Sequence, residues 1–219
     1  MSITRQNLSV IIVSFKSEHV IEDCINSIGR EIEIIIIDNS NNDEFKKRIE
    51  SKYQNVRCIL SKYNLGMGAG NNLGIKNVNK DFALILNPDV TLENNSIKEI
   101  FAATSEIDDF GIIAPLSNKE KYPNYILKKG HDFNPIKPFK VKSVDGYAMF
   151  LNLKRLKRLP NFNFFDENFF LYLENEDLCK RLSENNENIY IIPKSTINHL
   201  GGKAVNPKYS NEIEYLRNW

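Results

Sequence analysis

The sequence has little sulphur. Its three cysteines, Cys24, Cys58 and Cys179, are odd in number, far apart and never in a CxxC pair. That spacing excludes a disulfide framework and a structural zinc knuckle and suits a reducing cytosol. No apolar run approaches the roughly 18 residues of a spanning helix. Met1 to Leu8 carries no apolar stretch of signal-peptide length. The expectation is a cytoplasmic protein. Nor does charge of one sign prevail: 29 basic against 28 acidic residues leave a net +1. A nucleic-acid binder usually carries a basic footprint, so no nucleic-acid partner is expected. With 10 Gly and 8 Pro in 219 residues and no repeat, the chain is neither fibrous nor low in complexity.

What is present is an ordinary globular composition, 42% hydrophobic and 26% charged. The length favours one larger domain with a core of its own. The charge is unevenly placed. Lys119 to Arg158 holds eleven basic residues against Glu120, Asp132 and Asp145, a window of +8, which leaves −7 for the rest. A solvated surface is the ordinary reading; a face toward a diphosphate or an acidic membrane is the sharper one. Leu151, Leu153, Leu156 and Leu159 interleave with these charges and would suit either a membrane-facing or a core-facing helix.

Leu8 to Phe15 is a continuous apolar, β-branched run, which predicts a strand buried on both faces. Glu18 to Ile28 has helical spacing, with Gly29 as its stop. Strands follow at Glu33–Ile37, Val56–Leu60 and Phe82–Leu86, with helices at Asp43–Tyr53, Asn71–Asn79 and Ser96–Ser105. This alternation predicts βαβ units and a mostly parallel sheet with ligands at the carboxyl ends of its strands. Ser14, Asp38-Asn39, Asn64 to Asn72 and Asn87-Pro88-Asp89 each follow a buried run. Lys119 to Lys142 reads as a long functional loop. Val144–Leu151 reads as a strand, Glu174–Leu182 as an amphipathic helix, and Ile189–Ile192 as a late strand stopped by Pro193.

The loop Asn64-Leu-Gly66-Met-Gly68-Ala-Gly70-Asn-Asn72 has the glycines of a phosphate or nucleotide loop, or of a plain turn. It is not a dinucleotide fingerprint, because position 71 is Asn and the loop follows the third strand. That disfavours an oxidoreductase. Asp38 would accept hydrogen bonds from a base or ribose, or cap a turn. Asp89 would suit a hard cation bridging a diphosphate, or end a turn. Glu174, Asn175, Glu176 and Asp177 open a helix, where acidic residues suit the dipole. One of them could instead serve as general base, and Glu174 and Asp177 would share a face. His199, ahead of Gly201-Gly202, reads as structural on its own.

Taken in order, SVIIVSFKSEHVIEDCINSI, IIIIDNSNND, YNLGMGAGNNLGI, ALILNPDV, VDGYAMFLNLKRL, FFDENFFLYLENEDLCKRL and INHLGG resemble the family-two inverting glycosyltransferases. Within them the resemblance is to the bacterial rhamnosyltransferase-like branch that builds surface polysaccharides. It spans about residues 8 to 203 and implies an α/β fold of the GT-A type: one domain over 1–219, with a nucleotide-sugar half (1–105) and an acceptor half (106–219). It implies that Ser14 and Asp38 hold the base and ribose of a nucleotide-diphosphate sugar such as dTDP-rhamnose or a UDP-hexose. Asn64, Gly66 and Asn72 would line the donor pocket, and Asp145 with Gly146 would lie under the sugars. Asn87 and Asp89 occupy the DxD position, with Asp89 and His199 toward a Mg²⁺ or Mn²⁺ ion. The acidic helix departs from the branch, which has Glu-Asp-x-Asp-Leu-Cys: Asn175 stands where the frequent base is. The base would then be Asp177, slightly preferred, or Glu174. A saccharide or lipid-linked acceptor is implied, with a peripheral membrane contact at the inner face. The chain ends soon after His199, so the C-terminal membrane-associating helices of longer relatives are expected to be missing. The competing expectation is a nucleotide-sugar-binding module with weakened catalysis.

Overall fold

The computed structural model describes residues 4–117, 122–160, 162–204, 206 and 208. In chain order the elements are β1 (Leu8–Ser14), α1 (Ile21–Ile28), β2 (Glu33–Asp38), α2 (Asp43–Lys52), β3 (Val56–Leu60), α3 (Gly66–Lys76), β4 (Phe82–Leu86) and β5 (Val90–Leu92). There follow α4 (Ser96–Thr104), β6 (Phe110–Ser117), β7 (Tyr125–Leu127), β8 (Phe139–Val144), β9 (Ala148–Asn152), α5 (Leu153–Leu156), α6 (Glu174–Glu184) and β10 (Asn188–His199). The strands form one sheet in the order β3-β2-β1-β4-β9-β6-β10-β8-β7, with β5 paired to β10. The part β3-β2-β1-β4 is parallel, as the buried apolar runs require. Beyond it β9 runs antiparallel to both β4 and β6.

Side chains of β1 alternate between two cores. Leu8, Val10 and Ile12 pack with α1, α2 and α4 through Ile21, Phe45, Ile49 and Ile100. Ile11 and Val13 pack on the other side with Ile75 of α3, Leu153 and Leu156 of α5, and Leu178 and Leu182 of α6. Two helical layers therefore clamp one sheet, the period-two reading of a strand buried on both faces.

Three expectations are corrected, one of them that Lys119–Lys142 is a long loop: β7 and the start of β8 lie within it. The glycine-rich segment is the first half of α3, not a loop. Its glycines let the helix lie against β1: a Cβ at Gly70 would come within 2.9 Å of Val13, and one at Gly74 within 2.4 Å of Ile11. Pro193 does not stop the late strand. β10 runs on to His199 because a register shift between Ile192 and Thr196 absorbs the residue without an N–H. Of the two readings left open for the leucines of the basic window, the core-facing one holds: Leu151, Leu153 and Leu156 are buried, and Leu159 packs on the same cluster. Several basic residues there have local partners, Lys140 with Asp109 (3.4 Å), Lys154 with Asp81 (3.8 Å) and Arg155 with Glu187. Lys119, Glu120 and Lys121 lie outside the described residues. Among the described residues no helix is long and apolar enough to cross a membrane.

Candidate active site

A cleft of about 470 Å³ opens over the carboxyl ends of β1, β2 and β4. That is where the crossovers of a parallel sheet leave space for a ligand. Asn64, Gly66, Asn87, Asp89, Asp145, Glu174 and His199 all line it. Residues far apart in the chain meet there for local reasons.

Asp89 sits in the turn from β4 to β5 and is buried. The N–H of Leu200 donates to its carbonyl at 3.1 Å, and the N–H of Lys203 to its Oδ2 at 3.2 Å. Its Oδ1 lies 3.6 Å from His199 Nε2. That oxygen has no hydrogen-bond partner, and neither has the buried Oδ1 of Asn87. Buried oxygens are normally satisfied, so two bare ones in one cleft wall point to a ligand. His199 is the last residue of β10, held beside β5 by its pairing with Val90. Its ring stacks on Tyr147 at 4.0 Å between centroids. An amide oxygen, a carboxylate and an imidazole are donor types that suit a hard divalent cation. Among the described residues no group of three or more His, Cys, Asp or Glu could hold a metal by itself.

The segment Phe170–Leu173 and the start of α6 also line the cleft. Gly66 has φ +80°, and a Cβ there would fall 2.1 Å from the carbonyl oxygen of Phe170. Only glycine admits this approach, which lets Met67 N–H donate to that carbonyl at 2.9 Å. Tyr172 and Leu173 both have left-handed backbones, at φ 68° and 69°. Such conformations cost energy in residues with side chains and gather at functional sites. They turn the chain so that α6 meets the cleft end-on. Glu174, Asn175 and Glu176 consequently all line it, although they are consecutive on a helix. Glu174 is buried and its Oε2 has no partner. Burial raises its carboxyl above the ordinary value, against a smaller lowering from its own backbone N–H. Asn175 donates from Nδ2 to the Val144 carbonyl at 2.9 Å.

Four of the expected site residues lie elsewhere. Asp177 is one residue too far into α6. Its Oδ2 accepts from Arg181 Nε at 2.7 Å, and Arg181 also donates to the Asn163 and Phe164 carbonyls. Asp38 is buried behind the cleft. Its carboxylate accepts from Ser40 N–H (3.2 Å) and Asn42 N–H (2.7 Å), shaping the turn into α2, while burial raises its carboxyl. The Ser14 carbonyl accepts from Asn39 N–H at 2.8 Å. Asn72 borders a second cavity, where it holds Phe165 and Glu167. Sequence reasoning placed Asn39 at a strand end but gave it no role, and it missed Tyr147. Asn39 donates to the Gly66 carbonyl at 3.0 Å and keeps a bare buried Oδ1 in the cleft wall. Its signal was its place directly after Asp38 at the end of a buried strand; Tyr147 follows Asp145-Gly146 in the same way.

The sequence profile of Glycosyl transferase family 2 matches residues 9–172. The chain belongs to that family. A hexosyltransferase of low-salt glycan biosynthesis from Haloferax volcanii, Agl10, is 28% identical over 201 residues, covering 84% of this chain and 64% of its own length. GalNAc-T7, solved with UDP, GalNAc and Mn²⁺, superposes with a TM-score of 0.71 at 14% identity, over 97% of this chain and 48% of that one. S. aureus TarS (residues 1–349) gives 0.68 at 17% identity, over 96% and 64%. The mannosyltransferase PcManGT from Pyrobaculum calidifontis, solved with GDP-Man and Mn²⁺, gives 0.67 at 11% identity, over 90% and 58%. These likenesses establish the GT-A-like fold: one mixed α/β domain with a central sheet flanked by helices. The chain spans less than two thirds of the length of each.

Proposed function

We propose that this domain is an inverting glycosyltransferase. It would move a hexosyl or rhamnosyl group from a nucleotide-diphosphate donor to a hydroxyl of a saccharide or lipid-linked saccharide in surface glycan synthesis. The observation that carries this reading is the set of buried oxygens without a hydrogen-bond partner on residues that line one cleft, Asn87 Oδ1, Asp89 Oδ1 and Glu174 Oε2. The relative named as a hexosyltransferase and the structures solved with UDP and GalNAc or with GDP-Man support the same class.

In this reading Phe15, Ser17, Asn39 and Asn64 surround the base and ribose. Asn87, Asp89 and His199 face the diphosphate and would hold Mg²⁺ or Mn²⁺, with the Tyr147 ring fixing the imidazole. A bound divalent cation would supply charge stabilisation for the diphosphate leaving group. Glu174 is the general base. Its desolvated carboxylate takes the proton of the acceptor hydroxyl as that oxygen bonds to the anomeric carbon. The bond from that carbon to the diphosphate breaks on the opposite face, so configuration inverts. A carboxylate with a raised pKa is a stronger base than a solvated one, which matches it to a hydroxyl proton. Asp177, engaged by Arg181, positions the 162–164 segment.

The test is a binding and hydrolysis panel of dTDP-rhamnose, UDP-glucose, UDP-galactose, UDP-N-acetylglucosamine and GDP-mannose, each with Mn²⁺ and with EDTA. Metal-dependent hydrolysis of one donor, lost in Asp89→Asn with the fold intact, supports the proposal. Binding without turnover for any acceptor would make the domain a binding module, and no binding at all would refute the donor site.

A further inference from the structure

The large hydrophobic side chains exposed among the described residues are not scattered. Phe170, Tyr172 and Leu173 line the cleft, and Tyr63 and Leu200 adjoin its lining residues Asn64 and His199 in the chain, whereas Tyr122, Ile126, Leu127, Phe133 and Ile136 come from one stretch at the far edge of the sheet. That edge is β7, which pairs only with β8 among the described strands. Local structure holds the residues outward. Asn134 Oδ1 accepts from the N–H groups of Ile136 (2.9 Å) and Lys137 (2.7 Å), an Asx turn that leaves Ile136 63% exposed. The Phe133 ring sits edge-on to Phe139 at 5.5 Å and remains half exposed. Tyr125 turns inward onto the same Phe139 ring at 5.2 Å, so the stretch has a packed base and an apolar crest.

The crest is interleaved with cations. Lys128, Lys129, Lys137, Lys140 and Lys142 stand against one carboxylate, Asp132. Lys140 is engaged by Asp109. The other four are exposed and stand in no ion pair among the described residues. We propose that this edge, residues 122–142, docks the domain on an anionic lipid bilayer. The composition chooses this partner over a protein. Lysine is depleted at protein–protein interface cores, whereas a bilayer interface accommodates aromatic and aliphatic tips at headgroup depth and attracts the lysines around them. The edge itself, residues 122–142, carries five lysines against Asp132, a net +4, and it is this local excess that an anionic surface attracts. The edge is tied to the cleft, since Asp145 N–H donates to the Asn124 carbonyl at 3.0 Å.

The experiment is co-sedimentation of the full chain with phosphatidylcholine vesicles and with mixed phosphatidylglycerol–phosphatidylcholine vesicles, at low and high salt. Binding to the anionic vesicles only, weakened by salt, is expected. Each lysine near such a surface strengthens partitioning about fivefold, so Lys128→Gln with Lys129→Gln and Lys137→Gln should weaken it about 100-fold. Ile126→Ser with Ile136→Ser, which leaves charge unchanged, should also weaken it at an unaltered melting temperature. Absence of binding to anionic vesicles overturns the proposal. So does binding that the apolar pair does not affect and soluble heparin abolishes, since that would be charge attraction to any polyanion.

Discussion

Gly66 and Gly130 have the same left-handed backbone, φ +80°, in opposite surroundings. A Cβ at Gly130 would meet nothing within 4 Å, while one at Gly66 would lie 2.1 Å from Phe170 O, 2.9 Å from Phe170 C and 2.9 Å from its ring. Alanine at either position incurs the left-handed cost of an L-residue, roughly 1–2 kcal/mol. At Gly66 the chain must also shift. The Met67–Phe170 hydrogen bond, worth about 1 kcal/mol, is broken, and a backbone collision of this kind adds about 1–3 kcal/mol. Gly66→Ala should therefore be about 2–4 kcal/mol worse than Gly130→Ala. For a chain of this size that is roughly 5–15 °C in melting temperature. The damage is also directional, because the displaced segment leads into Glu174. Calorimetry of both variants, with titration of the preferred sugar nucleotide, reads each effect. Gly130→Ala should bind like the wild type and Gly66→Ala at least about tenfold more weakly. Equal melting temperatures and equal affinities would refute the claim that this glycine joins α3 to the segment leading into Glu174.

Glu174→Gln should lower turnover by about 10²–10⁴-fold at unchanged donor affinity, and should stabilise the fold at neutral pH. Burial raises the folded-state value above the ordinary 4.5, so wild-type stability falls as pH climbs from 4.5 through the folded value and stays low above it. The variant escapes that loss: its melting temperature should exceed the wild type's at pH 8 and approach it near pH 4, and a constant difference would count against a desolvated carboxylate. Asp177→Asn removes a partly exposed ion pair worth under about 1 kcal/mol and should keep turnover within about tenfold; a loss as large as that of Glu174→Gln would return the base assignment to Asp177. Asn72→Ala removes hydrogen bonds to the Phe165 N–H, the Phe165 carbonyl and the Glu167 carboxylate. It should cost about 2–3 kcal/mol, and limited proteolysis should then cut near 162–168.

The parallel half of the sheet and the residues at its strand ends were legible from sequence, because strands buried on both faces must be continuous apolar runs. Val10, Ile11, Ile12 and Val13 need no further context to be read as β1. The other half was not. β5 and β7 are three residues each, too short for any period to show, and β10 continues past a proline because its neighbours tolerate a bulge. The glycines at 66, 68 and 70 look like a loop in one dimension. Only against β1 and the Phe170 carbonyl do they become a helix pressed close to its neighbours.

The sequence by itself determined the family, the βαβ layout and the set of polar side chains available for chemistry, since these follow from local pattern and order along the chain. Tertiary structure decided which of those side chains share a cleft. Asp38 and Asp177 have the right chemistry, but their oxygens are already taken by Asn42 N–H and by Arg181. Asn87, Asp89 and Glu174 keep oxygens without a hydrogen bond, because the folds of the β4–β5 turn and of Tyr172–Leu173 bury them where no protein donor comes within hydrogen-bond distance. Whether a polar group is satisfied depends on what the rest of the chain brings within about 3 Å of it, and that distance is written only in the folded state.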